Sequence, residues 1–189
     1  MSEAGEFQII EQFFTYPSFG AWKSQGVGDD CAIIDTGAGR LAVTCDMTAL
    51  GTHFFPDADP EDVGYKALAV NLSDLAAAGA VPRAFFLSIG LPRRDDGWLA
   101  DFSRGLMALA HESGCALLGG DTTRTPEIDG RHAPATISIT AMGDLPAGMG
   151  LTRSGAQPGD DIWVSGTVGD AYAAVSYTHL RAHETPEHL

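Results

Sequence analysis

The segment from Asp59 to Gly79 constrains the fold most, because both of its ends and one of its faces are written in the sequence. Asp59 suits an N-cap, Pro60 suits the first helical position, and Glu61 and Asp62 favour the positive end of a helix dipole. The pattern predicts a helix to about Ala78, with Gly79 as its stop. Residues 67–78 are apolar apart from Asn71, Ser73 and Asp74. Asn71 and Asp74 stand three apart and so share one face. An ionised carboxylate between Leu72 and Leu75 is costly unless it is paired or binds a cation. The two together predict a polar patch on an otherwise buried helix.

Strands surround this helix. The apolar runs 31–34 and 41–45 flank a turn at 35–40 that carries Gly37 and Gly39, which predicts a hairpin. Residues 84–91 form a bulky apolar run closed by Pro92. A second helix is predicted over about 96–112, with Trp98, Phe102, Leu106 and Leu109 on one stripe and Gly114 at its end. Residues 115–118 read as a strand that exits into Gly119-Gly120-Asp121. After a turn at 126–131, residues 135–142 alternate as a further strand. Residues 7–14 suggest a short amphipathic helix, 161–165 a last strand and 166–170 the opening of a helix. Hairpins mixed with helices favour an α+β fold: an N-terminal mixed sheet with helices packed on one side, then the start of a truncated second α+β domain. The boundaries are placed at 1–145, 146–174 and 175–189.

The last of these segments breaks with the rest. Residues 175–185 resemble the translation of a transposase sequencing adapter, so 175–189 is read as a non-native tail and the natural gene is expected to continue past Ala174. His179 and His183, four apart beside Glu184, are accordingly set aside as metal ligands.

Twenty-five acidic residues against eleven Lys plus Arg give a net charge of −14, which argues against a nucleic-acid or anionic-membrane surface. Most of that acidity serves solubility. A smaller group lies where such a role fits less well: Asp29 and Asp30 in a glycine loop at a strand mouth, Asp46 after the strand 41–45, Asp74, and Asp121 after Gly119-Gly120. Each strand-end acid serves equally well as a turn former; Asp74 fits that role worst. Carboxylates at separate positions without a matching basic cluster suit Mg²⁺, which takes oxygen ligands and holds phosphates. The glycines before Asp121 allow close approach of a phosphate, or a plain turn. No GxxxxGK[ST], no GxGxxG and no protein-kinase catalytic loop is present. The residues alone therefore point to an acidic α+β enzyme that handles Mg²⁺ and phosphate. Three scattered cysteines, Cys31, Cys45 and Cys115, suit buried reduced thiols in a cytoplasmic protein. The first ten residues lack the pattern of a secretory signal, and no apolar run reaches the roughly 18–20 residues of a membrane span.

Several segments resemble the thiamine-monophosphate kinases. They are Gly28-Asp29-Asp30-Cys31-Ala32, Thr44-Cys45-Asp46, Gly51-Thr52-His53-Phe54, the run from Tyr65 to Ala77, the run from Leu118 to Arg124, and Leu151-Thr152-Arg153-Ser154-Gly155. The resemblance covers about 5–174 in order. It extends to a superfamily with aminoimidazole ribonucleotide synthetase, selenophosphate synthetase and a hydrogenase-maturation protein. It implies ATP-dependent phosphorylation of thiamine phosphate to thiamine diphosphate, with several Mg²⁺ ions and without a protein nucleophile. It further implies a homodimer formed through the N-terminal domain and a C-terminal domain that closes over the nucleotide. By the same resemblance Asp30, Asp46, Asp74 and Asp121 bind Mg²⁺, with oxygen ligands from Thr44 and the Cys45 position. Gly120, Asp121 and Arg153 contact ATP, and His53 contacts thiamine phosphate. Many relatives carry Ser or Thr where Cys45 stands, so that side-chain oxygen is missing here. A chain lacking the second domain is expected to be inactive alone; the alternatives are a non-catalytic nucleotide-binding and dimerisation fragment, or another superfamily member such as a hydrogenase-maturation or selenophosphate-type enzyme.

Overall fold

The computed structural model describes residues 29–163 without a break, together with Ile10, Gln12, Ser24–Gln25 and residues 168–169. The strands are β1 (Ser24–Gln25), β2 (Ala32–Asp35), β3 (Arg40–Ala49), β4 (Val81–Leu91), β5 (Ala116–Arg124), β6 (Glu127–Ile128), β7 (Arg131–His132) and β8 (Thr136–Leu145). The helices are α1 (Pro60–Ala77) and α2 (Asp96–Ser113). Six strands form one sheet in the order β1-β2-β3-β8-β4-β5. All neighbours are antiparallel except β4 and β5, whose parallel pairing requires the α2 crossover between them. β8, the last long strand among the described residues, lies in the middle of the sheet. The expected mixed sheet with helices on one side is the observed architecture.

Alternation along the strands decides which face is covered. Ala42, Thr44 and Thr48 of β3, Ile137, Ile139 and Ala141 of β8, and Phe85 and Ile89 of β4 are buried. They pack with Leu68 and Leu75 of α1 and with Phe102 and Leu106 of α2. On the opposite face Cys45, Met47, Phe86 and Ser88 are exposed. Fully burying one Leu or Phe contributes about 1.5–3 kcal/mol, so the helix-side layer carries most of the stabilisation.

Both helix starts follow from the sequence. The Asp59 carboxylate accepts the Glu61 N–H at 2.9 Å, and the Asp95 carboxylate accepts the Trp98 N–H at 3.0 Å. Glycines let the two helices touch backbone to backbone. A Cβ on Gly64 would overlap the Phe102 carbonyl, and one on Gly105 would overlap the Glu61 carbonyl.

Four expectations shift. β3 runs on to Ala49, so Asp46 lies within a strand instead of after one. β4 begins at Val81 and includes Pro82; pairing with β5 starts only at Ala84, so the missing proline N–H costs no bond on that side. Gly119-Gly120-Asp121 lies inside β5, past an irregularity that leaves Leu118 without an opposing residue. Residues 161–163 have no regular structure. The predicted helix at 7–14 (apart from Ile10 and Gln12), the loop at 26–28, the end of the predicted strand at 164–165, the helix at 166–170 (apart from 168–169) and the tail at 175–189 lie outside the described residues.

Candidate functional site

α1 lies over β3 in the reverse direction, and this brings its polar face onto the strand. Asn71 is fully buried. Its side-chain amide donates to the Ala67 carbonyl at 3.1 Å, and its oxygen accepts the Asp46 N–H at 3.2 Å. Three residues on, the Asp74 carboxylate accepts the Thr44 hydroxyl at 2.6 Å. The Cys31 thiol, at the entry to β2, donates to the Asp74 carbonyl at 3.3 Å. The polar patch predicted from Asn71 and Asp74 is therefore a seam that ties helix to sheet. Asp74 itself keeps partial access to solvent.

A second group closes on this seam from residues 149–153. The Leu151 N–H donates to the Ala78 carbonyl at 3.0 Å, at the end of α1, and Arg40 donates to the Met149 carbonyl. That strap delivers Arg153 to the mouth of β2. Its backbone N–H donates to Asp29 at 2.6 Å, and its guanidinium donates to Asp30 at 2.5 Å. Asp30, and with it Asp29 and Asp74, raises the affinity of Arg153 for its proton. Burial, then the negative charges of Asp74 and Asp30, push the Cys31 thiol up to about 11. Asp30, Asp74, Thr44, Cys31 and Arg153 thus share one electrostatic neighbourhood, with Asp46 beside it through Asn71.

The other expected site residues lie apart. Asp121 pairs with Ser88, which pairs with Ser138, which pairs with Met47. That row belongs to the open face, whereas Thr44 and Asp74 lie on the helix side. β5 is three strands from β3, about 14 Å at ordinary strand spacing. Cys45 also points to the open face, where the Thr140 hydroxyl donates to its sulfur at 3.3 Å and Ser138 Oγ lies 3.6 Å away. Its thiol cannot join Thr44, because neighbours on a strand face opposite ways. Among the described residues, no three His, Cys, Asp or Glu side chains converge on a point that could hold a metal. The four aspartates do not form one cage within this chain.

Gly120 has φ of 152°, and a Cβ there would overlap the Leu87 carbonyl, so packing against β4 already demands glycine. His53 sits in the turn after β3. Its Nδ1 accepts the Ala49 N–H at 3.0 Å, and its carbonyl accepts the Lys66 ammonium at 2.7 Å. Lys66 and Asp74 are eight residues apart on α1, about 12 Å along the axis. Beside His53 opens an apolar cavity of about 200 Å³ lined by residues that include Leu50, Phe54, Phe55, Leu91 and Trp98. Sequence reading missed this cavity; its only signal is the aromatic content of residues 54–55 and 98.

Residues 28–145 match the family model described as AIR synthase related protein, N-terminal domain. The chain is 42% identical over 185 residues to the thiamine-monophosphate kinase of Salmonella typhimurium, covering 97% of this chain and 54% of that one. It is 43% identical over 179 residues to the Escherichia coli protein of the same name, covering 94% and 53%. It therefore spans about half the length of the curated relatives it matches. Among solved structures, AaThiL complexed with AMPPCP and TMP superposes with a TM-score of 0.77 at 27% identity, covering 98% of this chain and 56% of that one. A thiamine-monophosphate kinase from Stenotrophomonas maltophilia gives a TM-score of 0.67 at 45% identity, covering 84% and 48%.

Proposed function

This chain belongs to the AIR synthase related protein family through its N-terminal domain, and on that premise we propose that it is the front half of a thiamine-monophosphate kinase, which moves the γ-phosphoryl group of ATP onto thiamine phosphate to give thiamine diphosphate. The observation that carries this reading is the Asp74 carboxylate, held by the Thr44 hydroxyl at 2.6 Å in the same neighbourhood as Asp30. The relatives' names and the AMPPCP and TMP of the ThiL complex support it.

The donors fit Mg²⁺. Asp30, Asp74 and Thr44 offer hard oxygens, and a cationic guanidinium already sits on Asp30. Two carboxylates suffice for an ion that keeps waters and shares substrate phosphates. Asp30 and Asp74 would hold it, with Asp46 and the Cys45 carbonyl alongside. Bound there, Mg²⁺ supplies charge neutralisation between donor and acceptor phosphates, whose unit charges repel by about 4 kcal/mol at 4 Å and an effective dielectric near 20. The acceptor is a phosphate oxygen already ionised at neutral pH, so no residue need act as its base. Thr44 fixes the orientation of Asp74. Arg153 would contact an ATP phosphate and His53 the thiamine phosphate. Asp121, on the open side of the sheet, would complete a site through a second copy, with Gly120 beside it, which suits a cytoplasmic homodimer pairing through this face. The divisions 1–145, 146–174 and 175–189 and the inactivity of the 189-residue chain alone belong to the same proposal.

Formation of thiamine diphosphate from ATP, Mg²⁺ and thiamine phosphate by the complete protein tests the reading. ATP hydrolysis indifferent to thiamine phosphate would instead indicate another enzyme of the superfamily. A second reading, a nucleotide-binding and dimerisation module without chemistry, draws on the absence of a three-carboxylate cluster among the described residues. It predicts a Tm raised by Mg²⁺ and ATP with no diphosphate formed, since a ligand bound only by the native state must stabilise it.

A further inference from the structure

We infer that Arg153 is a latch on the carboxylate site, a built-in cation that occupies Asp30 until a divalent metal displaces it. The inference rests on the reading of Asp30 and Asp74 as metal-holding groups and adds how access to them is controlled.

The geometry is specific to such a role. The guanidinium donates to Asp30 at 2.5 Å, while the backbone N–H of the same residue donates to Asp29 at 2.6 Å. One residue thus engages both acids at the mouth of β2. The strap that carries it is fixed upstream, by the Leu151 N–H on the Ala78 carbonyl and by Arg40 on the Met149 carbonyl. Arg153 can therefore leave Asp30 by rotating its side chain while residues 149–151 stay in place. The ion pair is also exposed enough to exchange: the side chains of Arg153 and Asp30 are 49% and 34% accessible. An exposed pair of this kind is worth little, so a divalent ion can outcompete it. The guanidinium sits on Asp30 Oδ1, so a divalent ion on the same carboxylate meets it as a like charge at close range. Metal entry thus releases a guanidinium close to the site, and a freed guanidinium pairs readily with phosphate oxygens in a bidentate way. The latch would make metal binding and phosphate capture sequential: the ion that arrives for Asp30 liberates the arginine.

Mn²⁺ binding to the 189-residue chain without nucleotide, followed by the electron paramagnetic resonance signal of the free ion, tests this directly. Arg153→Gln should tighten Mn²⁺ binding about two- to fivefold, the range expected for removing one exposed ion pair. Arg153→Lys, which keeps the charge, should stay near the wild type. Adding AMPPCP should reverse the ranking, with Arg153→Gln now the weaker nucleotide binder. Measurable Mn²⁺ binding of equal strength in wild type and Arg153→Gln would overturn the latch and leave the metal reading standing. Absence of Mn²⁺ binding in both, with far-UV circular dichroism unchanged, would overturn the metal reading and the latch with it.

Discussion

Asn71 is the residue through which helix α1 holds the strand that carries Asp46, and its removal should be felt in the whole domain. Truncation to Ala deletes the acceptor of the Asp46 N–H and the amide that bonds the Ala67 carbonyl. Losing the two hydrogen bonds that this buried amide makes costs about 1–3 kcal/mol. The side chain is fully buried, so its loss also leaves a void worth about 1 kcal/mol. Alanine returns about 0.5 kcal/mol through its helix propensity. The net expectation for Asn71→Ala is a loss of about 1.5–3.5 kcal/mol, or roughly 5–17 °C in Tm for a domain of this size. Urea denaturation of the variant measures it. Asn71→Leu separates the two causes, since leucine restores volume without restoring an acceptor. If the lost hydrogen bonds dominate, Leu recovers only part of the loss. An Asn71→Ala variant within about 0.5 kcal/mol of wild type would show that this amide does not bind helix to strand, and the account of the seam would fail.

Gly105→Ala should destabilise by about 1–3 kcal/mol despite better helix propensity, because its Cβ would drive into the Glu61 carbonyl and part the helices. Gly97→Ala, with Asp95 Oδ1 at 3.7 Å as the nearest atom, is the control and should be neutral or stabilising in the same denaturation assay. The Cys31 thiol, raised to about 11 from 9.0, makes stability fall with alkali. Below pH 9 both states keep the proton; between 9 and 11 the unfolded chain loses a proton that the folded chain retains. Up to about 3 kcal/mol should vanish across that window, and Cys31→Ala should flatten the fall in denaturation curves taken at increasing pH. Cys45 is exposed while Cys31 and Cys115 are buried. A thiol reagent at neutral pH should therefore modify the native protein in one fast phase that Cys45→Ser abolishes.

Much of this arrangement is local, and local features are legible in a sequence. Asp59, Pro60 and Gly79 mark the ends of α1 because caps and stops act within a turn of the chain. Asn71 and Asp74 reveal a shared face because helical spacing is fixed. The hairpin of β2 and β3 follows from two apolar runs around a glycine turn. What escapes is whatever depends on the partner across the sheet. Asp121 reads as a strand exit because two glycines precede it, yet β5 continues through them; Gly120 is needed for close approach to Leu87, not to end the strand. Cys45 reads as part of a Thr-Cys-Asp cluster, but β3 alternates and sends its thiol to the face opposite Thr44. The meeting of Arg153 with Asp29 and Asp30 spans more than a hundred residues, and no periodicity or spacing announces it.

β8 is synthesised after every other long strand of the described residues yet sits between β3 and β4. Until residue 145 has emerged, the early hairpin and the parallel β4–β5 unit have no central strand to join them. Each then presents a bare edge to whatever strand it meets first. Assembly is therefore deferred, and the waiting period is the time when the nascent polypeptide is most open to wrong pairing. The same placement makes β8 a keystone: a message that stops short of Leu145 yields two half-sheets instead of a smaller sheet.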